Sequence, residues 1–149
     1  MKEFMVQQEV KSQKELEVLR GFLRSNQLPS DDIRLDNCVY FTYYNTDEAL
    51  VGSGGLEIYG SKVLLRSLAV SPEVRGQQLG KQIVSDLLQK ARNLSMNEVY
   101  LLTETAFYFF HKLGFEELKR DEVPEEIRSS TEFSQVCPTS AQVMKLVLK

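Results

Sequence analysis

The sequence predicts an α/β domain built on a mixed, mostly antiparallel sheet with flanking helices. Three observations predict it. Short β-rich runs at 39–44, 50–59 and 62–70 are separated only by turns, which makes an antiparallel meander. A helical stretch from about 79 to 92 then leads to another apolar run at 98–102, which calls for a right-handed crossover and a parallel pair. The chain has 149 residues with 42% hydrophobic and 26% charged content, which suits one soluble domain spanning 1–149.

The elements follow in order. Residues 4–10 read as a strand. Ser12 with Glu15 three residues later is a capping box, and Leu16, Leu19 and Leu23 recur at helical spacing, with Val18 and Phe22 widening the stripe. Pro29-Ser30-Asp31-Asp32 is a turn. Gly52, Gly54 and Gly55 inside the 50–59 strand indicate a bulge or a close approach by another group. Leu79, Ile83 and Leu87 share one face of the central helix with Val84, Leu88 and Ala91. Residues 106–113 form a short aromatic helix ended by Gly114, and 115–118 start a further strand. Residues 121–138 hold two of the four prolines and read as a loop with one helical turn, before a last strand over 142–148.

Net charge is −3 and pI about 5.3, with no Lys/Arg stripe, so the footprint of a nucleic-acid binder is missing. No apolar run approaches the roughly 20 residues of a membrane span, and the start lacks a signal core, so cytoplasmic residence is expected. Cys38 and Cys137 form no CxxC pair, and a single histidine leaves no metal-ligand cluster by sequence.

The most informative stretch is 63–82. An apolar run ends at Val70, Ser71-Pro72 breaks it, and Arg75-Gly76-Gln77-Gln78-Leu79-Gly80 opens a helix. A strand, a glycine-containing loop and a helix N-terminus make an anion site, because free backbone N–H groups and the positive end of the helix dipole converge there. A nucleotide P-loop requires four residues between its glycines and a Ser/Thr after the lysine. Here three residues separate Gly76 from Gly80, and Gln82 follows Lys81, so a nucleoside triphosphate is not the ligand.

This block resembles the acetyl-coenzyme A signature of the GNAT (Gcn5-related) N-acetyltransferases, Arg/Gln-x-x-Gly-x-Gly/Ala between a strand and a helix. The resemblance implies the GNAT fold, in which the central parallel strands splay apart, and acetyl-CoA as co-substrate, with no metal. It assigns cofactor binding to Leu68, Ala69, Val70, Arg75, Gly76, Gln77, Gln78, Gly80, Lys81 and Thr103. Gln78 stands where the family usually has its inner glycine. A helix start can take negative φ, so glutamine is expected to fit without strain. The element order matches the family's, except that a second helix near 29–34 is not clearly written.

Two more stretches narrow the resemblance. Residues 100–115 are similar to the Leu-Thr-Thr-x-Thr-Ala…Phe-x-x-x-Gly-Phe segment of N-acetylglutamate synthases. Residues 55–60, 64–70 and 133–141 look more like the arsenic-resistance N-acetyltransferases. The branch implies a small-molecule amine acceptor that also carries an acidic group, and two lone cysteines do not by themselves indicate arsenite binding. A homodimer is compatible with the sequence; nucleic acid and membrane are not expected partners.

Many GNAT enzymes carry a glutamate early in the fourth strand and a tyrosine four residues before Gly-Phe. Here those positions hold Leu64 and Phe110. Tyr108 is two residues from the second, about 200° round a helix, and reads as structural. Glu57 is the best replacement base. Arg66, on the adjacent strand, is the candidate receptor for the acceptor's acid group, since a guanidinium grips a carboxylate bidentately. The competing reading of both is a Glu–Arg cross-strand pair that only holds the sheet. Arg128 is a second anion-binding candidate and Phe110 a candidate wall of the acetyl pocket. His111 is expected to be exposed or capping.

The expected function is acetyl transfer from acetyl-CoA to the amine of a small amino acid or amino-acid-like compound. Two alternatives stand beside it: a non-catalytic acyl-CoA sensor of the same fold, and a protein or peptide N-acetyltransferase.

Overall fold

A computed structural model describes residues 5–75, 78–130, 133 and 140–148. Gly76, Gln77, Cys137 and most of the 133–141 segment therefore lie outside the described residues. The described strands are β1 (Val6–Glu9), β2 (Cys38–Tyr44), β3 (Leu50–Tyr59), β4 (Lys62–Val70), β5 (Glu98–Thr103), β6 (Glu116–Leu118) and β7 (Gln142–Val147). They form one sheet in the order β1-β2-β3-β4-β5-β7-β6, in which only β4 and β5 are parallel. The helices are α1 (Gln13–Ser25), α2 (Leu79–Asn93), α3 (Phe107–Lys112) and the single turn α4 (Glu125–Arg128).

α1 begins where the capping box predicts. Ser12 Oγ accepts the Glu15 N–H at 3.1 Å, and the Glu15 carboxylate accepts the Ser12 and Lys11 N–H groups. Leu16, Leu19 and Leu23 are buried, but Val18 falls off the stripe and is 48% exposed. No helix forms at 29–34; the connection from α1 to β2 is turns and bends.

On the opposite face α2 buries Leu79, Ile83, Val84, Leu87, Leu88 and Ala91 against the sheet. The glycines of β3 let it approach. A Cβ at Gly54 would stand 2.6 Å from Ile83 Cγ2 and 2.8 Å from Leu87 Cδ1, and one at Gly52 2.9 Å from Leu79 Cδ2. Gly55 faces the other way, leaving room for the Tyr40 ring.

The expected bulge is present beside Gly52, where Tyr43 pairs with Gly52 and Tyr44 with Leu50 so that Val51 is an extra residue on β3, and a second bulge has its extra residue on β4. Ser53 pairs with Ala69 and Gly55 with Arg66, so two steps of β3 face three of β4. Ser67 takes φ +60°, and the Ser53 hydroxyl donates to its carbonyl at 2.8 Å. The bulge sets the facing of everything beyond it. Leu64, Arg66 and Ala69 share the α1 face because their partners Glu57, Gly55 and Ser53 alternate along β3. Ala69 joins the apolar cluster under α1, and Leu64 joins a second one with Tyr100, Val123, Ile127, Phe133 and Val143. Arg66 lies between them, so a charged band divides the apolar layer.

Candidate functional site

β4 and β5 pair only from Lys62–Leu64 with Glu98–Tyr100. Beyond those residues the two strands part. β3 covers one edge of β4 and β7 one edge of β5, so the edges facing each other across the gap have no strand partner. A cavity of about 610 Å³ adjoins this opening. The α1–β2 connection walls it with residues 27–31; Arg66, Ser67 and Leu68 line the β4 side, and Leu101–Ala106 with Phe110 the β5 side.

The helix N-terminus adjoins the same opening. A Cβ at Gly80 would meet Val70 at 3.7 Å and Phe109 at 3.6 Å, so the first turn of α2 packs against the end of β4 and against α3. Gln82 N–H bonds to Gln78 C=O at 3.1 Å, the first turn of the helical ladder, and the Gln78 side chain makes no cap hydrogen bond among the described residues. Amides of that first turn remain for an anion. Arg75 Nε donates to Val70 C=O at 3.2 Å, tying the loop back to the strand end. Lys81 is exposed.

Gln78 corrects the strain-free expectation. It sits at φ +63°, ψ +18°, in the left-handed region. An L-residue there is disfavoured by roughly 1–2 kcal/mol, which a glycine avoids. The departure from the signature is thus a strained one.

Thr103 is buried and accepts the Ala106 N–H at 2.9 Å, so its hydroxyl closes the turn into α3 while its own proton stays available to donate. Phe110 is 5% exposed, packs edge-on against Phe109 and Phe115, and lines the cavity. Tyr108 is 77% exposed, and His111 is exposed and stacked on Phe107. Arg128 is exposed at the end of α4, where Ile127 is the residue that turns inward; it does not line the cavity.

Glu57 and Arg66 meet, but not as a free base and a free receptor. Arg66 Nη1 donates to Glu57 Oε2 at 2.8 Å, and Glu57 Oε1 accepts the Tyr59 hydroxyl at 2.6 Å. Arg34 Nη1 adds a longer contact at 3.5 Å. The Glu57 side chain is 1% exposed and is not part of the cavity wall, so its lone pairs serve the cluster. Arg66 also donates from Nη1 and Nη2 to the two oxygens of Asp32, and from Nε to Ser67 Oγ. The cross-strand pair anticipated as the competing reading is present, extended by Asp32.

Burial works against an ionised Asp32, but hydrogen bonds and charge from Arg66 outweigh it and hold the carboxyl below its ordinary range. Burial and the Glu57 carboxylate push the Tyr59 phenol up to about 12. Burial also pushes the Cys38 thiol up, which disfavours a thiolate.

Asp32, Arg34 and Tyr59 were not anticipated. A faint signal exists: Asp32 and Arg34 flank Ile33, which is buried at 4%, in a stretch that otherwise reads as a turn.

Residues 5–115 match the acetyltransferase (GNAT) family. The amino-acid acetyltransferase of Mycobacterium tuberculosis (strain ATCC 25618 / H37Rv) is 37% identical over 90 residues, 59% of this chain and 48% of that protein. The chain thus spans about half the length of that relative. A GNAT-family acetyltransferase structure from Staphylococcus aureus Mu50 superposes with a TM-score of 0.74 at 20% identity, covering 97% of this chain and 100% of the other. N-acetylglutamate synthase from Neisseria gonorrhoeae, complexed with coenzyme A and N-acetyl-glutamate, superposes with a TM-score of 0.75 at 18% identity, over 98% of this chain and 35% of the synthase. These structures share the fold.

Proposed function

Because the chain belongs to the acetyltransferase (GNAT) family, we propose that it transfers the acetyl group of acetyl-CoA to the amine of a small amino acid or amino-acid-like acceptor. The observation that carries this reading is the gap between β4 and β5, continuous with a cavity large enough for a small molecule and flanked by the α2 N-terminus. The amino-acid class is supported by the mycobacterial relative's name and by a built carboxylate-binding guanidinium, Arg66, in the cavity wall.

In this reading the pantetheine arm lies along the open edge of β4 at Leu68, Ala69 and Val70. The pyrophosphate is bound by Arg75, Gly76, Gln77, Gln78, Gly80 and Lys81, at and before the N-terminus of α2. Thr103 and Phe110 border the thioester end. The acceptor nitrogen attacks the thioester carbonyl; a C–N bond forms, the C–S bond breaks, and coenzyme A leaves as thiolate. Unpaired main-chain N–H groups along the gap are the available donors to the tetrahedral oxyanion.

A free α-amine has a pKa of about 7.7–8.0, so the demand for a base is modest near neutral pH. With Glu57 saturated by its partners, the amine proton passes to water at the polar rim, where Asp31 and Glu104 are exposed. The arsenic-resistance likeness rests on short segments and enters here only as a choice of acceptor.

The test is thiol release from acetyl-CoA with a panel of amino acids, their arsenical and phosphinic analogues, simple amines and peptides. Release with one or a few amino acids is expected. Release with peptides alone would replace the acceptor class, and tight cofactor binding with no release from any amine would replace the enzyme by a sensor.

A further inference from the structure

The bidentate seat of Arg66 is filled by the protein itself. Nη2 reaches Asp32 Oδ1 at 2.8 Å and Nη1 the other oxygen, while Glu57 holds Nη1 at 2.8 Å and Ser67 Oγ holds Nε at 3.1 Å. These partners differ in what carries them. Glu57 and Ser67 belong to the central strands β3 and β4 and cannot move without disrupting the sheet. Asp32 hangs from the connection between α1 and β2, which has neither helix nor strand. Gln27 and Asn37, near its two ends, take φ of +62° and +54°. Residues 27–31 of the same connection wall the cavity, as does Arg66.

We propose that Asp32 is a specificity-determining residue, an internal carboxylate occupying the seat on Arg66 that the acceptor's acid group takes. Acceptor binding is then an exchange of one carboxylate for another. This rests on the amino-acid-like acceptor proposed above. Exchange never leaves the Arg66 guanidinium buried without a counter-charge, and Glu57 keeps the fork in place while the seat changes hands. The released Asp32 goes to water with its exposed neighbour Asp31, whose side chain is 94% exposed. An amine lacking an acid group has nothing with which to displace Asp32, so the seat selects by charge as well as by shape.

Glutarate is a dicarboxylate without an amine and cannot be acetylated, which makes it a direct probe. Calorimetric titration of the full chain should show Asp32→Asn binding glutarate about tenfold more tightly than the wild type, because a neutral carboxamide competes less well than a carboxylate. Adding Arg66→Lys to that variant should abolish the gain, since the bidentate fork is lost. Equal or weaker binding by a folded Asp32→Asn variant, or no binding by either protein, would overturn the proposal. If Asp32 instead held the acceptor's amine, the variant would raise KM for amino acids without tightening glutarate, which also overturns it. In the wild type, saturating glutarate should speed amide hydrogen exchange across 27–37; unchanged protection counts against the exchange even if the variant fails to fold. Because glutarate is not turned over, these results stand apart from the thiol-release assay that tests the function.

Discussion

The two ends of the candidate site are built from different materials. At the proposed cofactor end two features close in sequence present main-chain groups: the open edge of β4 at Leu68–Val70 and the N-terminus of α2. At the acceptor end Asp32, Glu57 and Arg66 come from a loop and two strands and meet through side chains. Main chain presents its donors whatever side chains surround it, so in the proposed reading the first end should tolerate a departure such as Gln78. Buried charges depend on their partners, so the second end is sensitive to the loss of a strand-borne one such as Glu57.

Removing Glu57 should have the largest effect. Glu57→Ala takes a counter-charge from a guanidinium whose side chain is 0% exposed, and breaking such a buried pair typically costs about 3–5 kcal/mol. Urea unfolding measures it, and a loss below about 1 kcal/mol would mean that the other partners of Arg66 satisfy it without Glu57.

Gly80→Asp tests the other end. The Cβ would meet only ordinary contacts, and a carboxylate at a helix N-terminus favours the helix. Melting temperature should hold while acetyl-CoA affinity falls by at least about tenfold through repulsion of the pyrophosphate. Parallel losses of fold and affinity would show that the substitution acts through packing instead.

Gln78→Gly should stabilise the protein by about 1 kcal/mol by relieving the left-handed backbone, whereas Gln78→Ala should recover none of that. Equal stability of the two variants in urea would remove the strain assigned to this turn.

The Asp32–Arg66 pair also sets a pH dependence. A carboxyl whose native pKa is depressed contributes stability that is fully present above its unfolded value, about 3.9, and lost as pH falls through the lower native value. Below pH 4 the stability curve of Asp32→Asn should be flatter than that of the wild type. Curves of equal slope would mean that other carboxyls dominate the acid limb.

The smallest effect belongs to Tyr108→Phe. The side chain is 77% exposed, so stability should stay within about 0.5 kcal/mol and kcat should be retained. A large loss of kcat with the fold intact would restore it as an acid.

Much of this was legible because the signals are local. The Ser12–Glu15 box, the Leu16–Leu19–Leu23 stripe, the meander and the 79–93 helix depend on residues within one or two turns of one another, and each element formed with its ends close to those expected. The three glycines of β3 pointed to the right place, with Val51 the extra residue of a bulge beside Gly52, but only packing against α2 and Tyr40 shows why each lacks a side chain.

By itself, then, the sequence determined the order of elements and the parallel crossover through α2, because short-range periodicity and turn chemistry encode them. Tertiary structure alone decided the sign of φ at Gln78, the facing of Ala69 beyond the Ser67 bulge, and the partners of Arg66. Asp32 stands 34 positions from Arg66 in the chain. A pair at that separation leaves no periodic trace. Only the folded sheet, with the α1–β2 connection laid across it, brings the carboxylate to the guanidinium, and burial of that guanidinium then calls for a counter-charge.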